Sequence, residues 1–134
     1  YSLKLQIESR VLGDLVINHV LPAAKRYQKT LLEKVAHIKQ VFDAAEAKML
    51  NEQDCLLIRR IEEHASAIIA GVDKMTELRV IANHIENQRE RAIAFHDTIV
   101  PIMEEIRKHV DELEMWVDDQ LWTLPKYREL LFIR

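Results

Sequence analysis

Apolar residues recur every three or four positions along most of this chain. Ile58, Ile61, Ala65, Ile68, Val72, Met75 and Ala82 form one run, broken only by Arg79, and Ile99, Met103, Ile106, Val110, Leu113 and Val117 form another. A 3–4 spacing gathers the apolar side chains on one stripe of a helix, which must then face a core. A third, less regular pattern runs through Leu12, Leu15, Val16, Val20, Ala24, Tyr27, Leu31, Val35, Ile38 and Phe42. Two short stretches mark where helices start. "DAAE" at 43–46 and "NQRE" at 87–90 each place Asp or Asn three residues before Glu, where a short side chain can accept from the first free N–H groups. The pattern therefore predicts helices at about 3–42, 44–82 and 88–120, each roughly 50–60 Å long at ~1.5 Å per residue. Matched lengths joined by short turns predict an all-α fold, an up-down-up bundle of three long helices. Pro22 and Pro101 fall inside the first and third helices, where kinks are expected. Gly13 and Gly71 each cost a helix roughly 1 kcal/mol relative to Ala. Close approach of a neighbouring helix is the expected reason for Gly71.

Composition narrows the picture without naming a function. An apolar content of 49% against 31% charged residues is the balance of a globular domain, and 134 residues suit a single one spanning 1–134. With only two glycines and three prolines there is little to interrupt helices. The net charge of −3 carries no basic stripe, so no nucleic-acid partner is expected. No apolar run approaches the ~20 residues that span a bilayer, so no membrane partner is expected either. Cys55 is the single cysteine and cannot form an internal disulfide, which fits a reducing, cytoplasmic setting. The sequence starts at Tyr1 without a methionine and is read as a piece of a longer protein.

Helix bundles house di-metal centres built from Glu-x-x-His pairs, and six histidines invite the idea. Yet none of His19, His37, His64, His84, His96 and His109 has an acidic residue three positions earlier, and no two lie three to five apart. They are read as flank or partly buried polar positions, His96 at the edge of the core. Cys55 has no paired base or glycine-rich turn nearby in sequence, and no phosphate-binding loop is found. Glu104-Glu105 and Asp118-Asp119 read as solvated helix faces. No catalytic, metal-binding or cofactor-binding residue is expected.

What exceeds the needs of a core is the closing stretch, "LWTLPKYRELLFIR". Trp116, Trp122, Tyr127 and Phe132 gather half of the aromatic residues near the end of the chain. Pro125 sits where a short new helix would begin. Trp116, Trp122, Pro125, Tyr127, Arg128 and Phe132 are thus the candidate contact residues, either folding back over the end of the bundle at Phe42, Met49 and Leu50 or docking on another subunit. Arg128 is expected at the rim of such a cap, beside acidic neighbours.

Three stretches carry a family resemblance: "IESRVLGDLVINHVLPAAKRYQ" at 7–28, "RERAIAFHDTIVPIMEEIRKHVDELE" at 89–114 and "VDDQLWTLPKYRELLF" at 117–132. Together they resemble the C-terminal region of type III glutamine synthetase, the long bacterial form. The last stretch is the most specific, since no generic bundle requires Trp-x-x-Pro-x-Tyr-Arg. Thr123 departs from the proline expected there in relatives. The resemblance implies a parent enzyme that joins ammonia to glutamate with ATP and a divalent metal, Mg or Mn, at sites between neighbouring subunits of a homo-oligomer. It implies that the ligands lie in a catalytic region outside this chain, so no catalytic residue carries over. The domain would then serve structure or assembly, contacting the catalytic region of its own chain and neighbouring subunits. The alternative is a stand-alone helical bundle that binds other proteins.

Overall fold

Two side chains start two of the helices. Asp43 accepts from the Glu46 N–H at 2.9 Å and Asn87 from the Glu90 N–H at 3.0 Å. Each satisfies a donor that the first turn of a helix leaves free, as the two sequence signals required. The structure, a computed structural model, describes residues 2–117, and every regular element among them is helical. Helix α1 (Ser2–Leu15) passes through a π-helical turn (Val16–Val20) into α2 (Leu21–Val41), and α3 (Ala44–Asn83) follows. Then α4 (Gln88–Ala94) passes through a second π-helical turn (Phe95–Ile99) into α5 (Val100–Trp116). Because α1 runs on into α2 and α4 into α5, the described chain makes three rods.

Each π turn ends two residues before a proline. Pro22 and Pro101 each occupy the second position of the helix that follows. A proline has no N–H to give and its ring crowds the carbonyl four residues back. Those carbonyls belong to Asn18 and Asp97, inside the π turns, where the wider turn makes room for the ring. The backbone remains right-handed helical at Leu21 (φ −64, ψ −44) and Val100 (φ −57, ψ −46). The expected effect of the two prolines thus takes the form of one widened turn ahead of each.

The third rod ends earlier than the expected residue 120. Val117 is extended (φ −82, ψ 139), and its N–H closes the last turn on the Leu113 carbonyl at 2.9 Å. Leaving the helix lets this branched side chain join the core, where it is buried. A helix carried further would also have set Asp118 and Asp119 at its negative end, which the helix dipole disfavours. Of the candidate contact residues, Trp122, Pro125, Tyr127, Arg128 and Phe132 lie outside the described residues.

One core threads all three rods. Leu12, Val16 and Val20 meet Ile61, Ile68 and Met75, and Ile99, Met103, Ile106, Val110 and Leu113 close it from the third. Gly71 shows how tightly the second and third rods approach. A Cβ there would stand 2.8 Å from Ile106 Cγ1, inside van der Waals contact with a fully buried side chain. The first two rods are tied by polar pairs whose numbers fall on one as they rise on the other. Gln6 donates to Asn83, Arg79 to Ser9, Lys25 to Glu62, and Lys34 pairs with Asp54.

Candidate functional site

Trp116, the one candidate contact residue within the described part, closes α5 with its ring under the Arg60 guanidinium, 5.2 Å from the centroid. That stacking fixes how far the third rod reaches along the second. Between Leu32 and Arg60 only Ala47 and Asn51 are buried. The α2–α3 hairpin therefore projects past the third rod as a two-helix tip. Val41, Phe42, Met49 and Leu50, three of which sequence reasoning named as the surface awaiting a cover, are exposed there. Beside them α3 lines an open cleft of about 920 Å³ that includes Ala44, Lys48, Asn51, Cys55 and Arg59. Asn51 is buried and donates Nδ2–H to the Val35 carbonyl at 3.2 Å, joining the tip by a hydrogen bond instead of an apolar pair.

The residues the sequence left scattered include one close pair. His64 on α3 and His109 on α5 approach with Nδ1 to Nδ1 at 2.9 Å, their rings 5.2 Å apart and tilted by 53°. Such a contact holds one proton, given by one ring to the lone pair of the other. Glu105 lies 3.5 Å from His109 Nε2, which places a proton on that nitrogen and leaves His109 Nδ1 to accept. His64 therefore donates from Nδ1. Burial, then the facing His109, holds His64 below its usual 6.5, with Arg60 adding to the effect and Glu112 and Glu63 opposing it. The pair is an interhelix clasp. Sequence spacing could not reveal it, because the two residues are 45 apart and meet only once α3 and α5 are set in register.

His96 differs from its expected place at the core edge. Its ring is exposed on the second π turn and meets the Asp97 carboxylate at 3.2 Å, because the widened turn carries position 96 outward while Phe95 and Ile99 fill the core. Cys55 is a half-buried free thiol. Among the described residues no three of His, Cys, Asp or Glu converge as a metal site. No helix among them is long and apolar enough to cross a membrane. Glu62 gathers Lys25, Gln28 and Ser66 around its carboxylate, and these hydrogen bonds, Lys25 first, hold its pKa below the usual carboxylate value. The network joins α2 to α3 and presents no acid–base couple.

Comparison with known proteins agrees with the earlier resemblance. Residues 1–39 match the glutamine synthetase C-terminal domain. Across all 134 residues the chain is 49% identical to a glutamine synthetase of Bacteroides fragilis and 29% identical to a type-3 glutamine synthetase of Dictyostelium discoideum. A glutamine synthetase of Butyrivibrio fibrisolvens is 22% identical over 98% of the chain. In each case the chain spans 18% of the relative's length. The family model and these relatives agree: the chain is similar to glutamine synthetases, and its first 39 residues to their C-terminal domain.

Proposed function

We propose that this chain is a structural and assembly domain of a glutamine synthetase, folded as one up-down-up bundle across residues 1–134. The parent would ligate ammonia to glutamate with ATP and Mg or Mn in the cytoplasm, at sites outside this chain, and the domain by itself would be inactive. Its partners would be the catalytic region of the same chain and neighbouring subunits of a homo-oligomer. The falling pair numbers between the first two rods support the bundle topology.

The observation that carries the assembly reading is the outer face of α1. Leu5, Ser9, Leu12 and Val16 face the core, yet Leu3, Ile7 and Val11 are 68%, 55% and 60% exposed. A spacing of four sets these three side chains above one another. A helix apolar on both sides has a second surface to cover, and a contiguous exposed apolar stripe marks an interaction site. The bulk of a parent of the relatives' length would supply that cover. The aromatic tail, through Trp122, Tyr127 and Phe132, would cover the exposed tip at Phe42, Met49 and Leu50, with Pro125 turning the chain and Arg128 at the rim.

The test replaces Leu3, Ile7 and Val11 together by Glu in the full-length parent. These positions face away from the bundle core, so helicity by circular dichroism should persist while sedimentation velocity shows smaller species and glutamine formation falls. Unchanged assembly and activity would remove the α1 face from the reading.

A further inference from the structure

Arg79 interrupts the apolar stripe of α3, and the structure shows where its guanidinium goes. It lies half-buried between α1 and α3, giving one N–H to Ser9 Oγ at 3.3 Å. Burial and the neighbouring charge of Arg10 both disfavour its cationic form, and Asp14 opposes them. Among the described residues no carboxylate comes within ion-pair distance of Arg10 or Arg79, and Asp14 stays outside that range. A guanidinium carries five N–H donors; the bond to Ser9 engages one of Arg79's, and the exposed Arg10 lines the same cleft.

These residues border a cleft of about 440 Å³ whose lining also includes Asn18 and Thr76, with Gly13 among its walls. Gly13 is informative here. A Cβ at that position would make only ordinary contacts, 3.8 Å to Met75 and 4.0 Å to Val72, so packing does not demand glycine as it does at Gly71. Alanine would favour the helix by roughly 1 kcal/mol. A residue that costs the helix stability and that packing does not require keeps a notch open beneath two arginines.

We propose that this cleft binds a small free oxyanion, of the phosphate or carboxylate class, between Arg10 and Arg79. The guanidinium forks match two oxygens of such an anion, and Asn18 adds a neutral donor. The proposal goes beyond the assembly reading and does not depend on it, since the binding is counted on the chain whatever its partners are.

Isothermal titration of the full-length parent with inorganic phosphate, and separately with succinate, tests it at constant ionic strength in chloride. Sites elsewhere in the parent appear equally in wild type and variants, so the readout is the difference. Arg10→Gln removes one exposed guanidinium and should weaken one site per chain about tenfold or more. Gly13→Leu keeps both arginines but fills the notch and should abolish the same site. Saturation by phosphate alone or by succinate alone identifies the ligand class. Equal stoichiometry and affinity in wild type and both variants, or loss in Arg10→Gln but not in Gly13→Leu, would overturn the cleft as a site.

Discussion

The three-rod part of the molecule and its two-helix tip are built from the same helices but held by different forces. From Leu12 to Leu31 and from Ile61 to Ala82 the first two rods share a core with the third. Among the described residues the hairpin beyond Trp116 has only itself, and there Asn51 on the Val35 carbonyl and Lys34 on Asp54 take the place of apolar stacking. Exposed ion pairs contribute ~0–1 kcal/mol each, whereas a buried aliphatic side chain contributes ~1.5–3 kcal/mol. The comparison teaches that stability is concentrated at the three-rod end, while the tip keeps its apolar side chains for something else.

The largest expected effect breaks the stable half. Ile68→Ala and Ile106→Ala each remove a fully buried side chain at the meeting of the second and third rods. Each should lower unfolding free energy by roughly 2–5 kcal/mol in chemical denaturation, the cost of the lost burial plus the cavity. A loss below ~0.5 kcal/mol at either would mean that the rods meet on other faces.

Most of that half was legible in the sequence. The regular stripes at 58–82 and 99–117 are buried or packed against the core, because a single-period pattern has one helical solution. Both capping signals landed on their helices, since a short acceptor at the first turn is a local effect that needs no tertiary knowledge. What was not legible depends on register between rods. The prolines at 22 and 101 announced disturbance, but a π turn and a kink answer the same local conflict, and the core filled by Phe95 and Ile99 decides between them. Arg79 was visible as an interruption, yet its cleft takes Arg10 and Gly13 from a helix some seventy positions away. Of the candidate contact residues, Trp116 falls among those described.

An intermediate effect sharpens the comparison through pH. Folding holds His64 below its usual 6.5, so the unfolded chain takes up the proton first. The contribution of the clasp is therefore complete above about pH 6.5 and is lost as pH falls toward the lower folded value. Glu105, Glu112, Glu63 and Arg60 are the charged groups that face the pair. His64→Phe should cost ~0.5–1.5 kcal/mol at pH 7.5, where the hydrogen bond is intact, and less at pH 5.5. Glu62, also held low, matters only in a more acidic range, so it does not blur the result. Parallel pH profiles for wild type and variant, followed by thermal unfolding, would show that the clasp does not titrate as described.

The smallest effects lie at the tip, and they decide what the exposed side chains are for. Met49 is 68% exposed and Leu50 is 46% exposed, with Phe42 beside them at the turn. If nothing covers them, Met49→Ala and Leu50→Ala remove little burial and should change stability by less than ~0.5 kcal/mol. A cover made by Trp122, Tyr127 and Phe132 would change that, because aromatic rings bury ~150–250 Å² each and the truncations would then leave gaps beneath them. The substitutions are therefore measured twice, in the chain as it stands and in one ending at residue 121. Under the proposed cap, the whole chain loses at least ~1 kcal/mol on Leu50→Ala while the shortened chain is indifferent to it. Equal, near-zero changes in both would leave the tip open to another subunit. The shortened parent should in that case assemble poorly although its bundle unfolds at an unchanged midpoint.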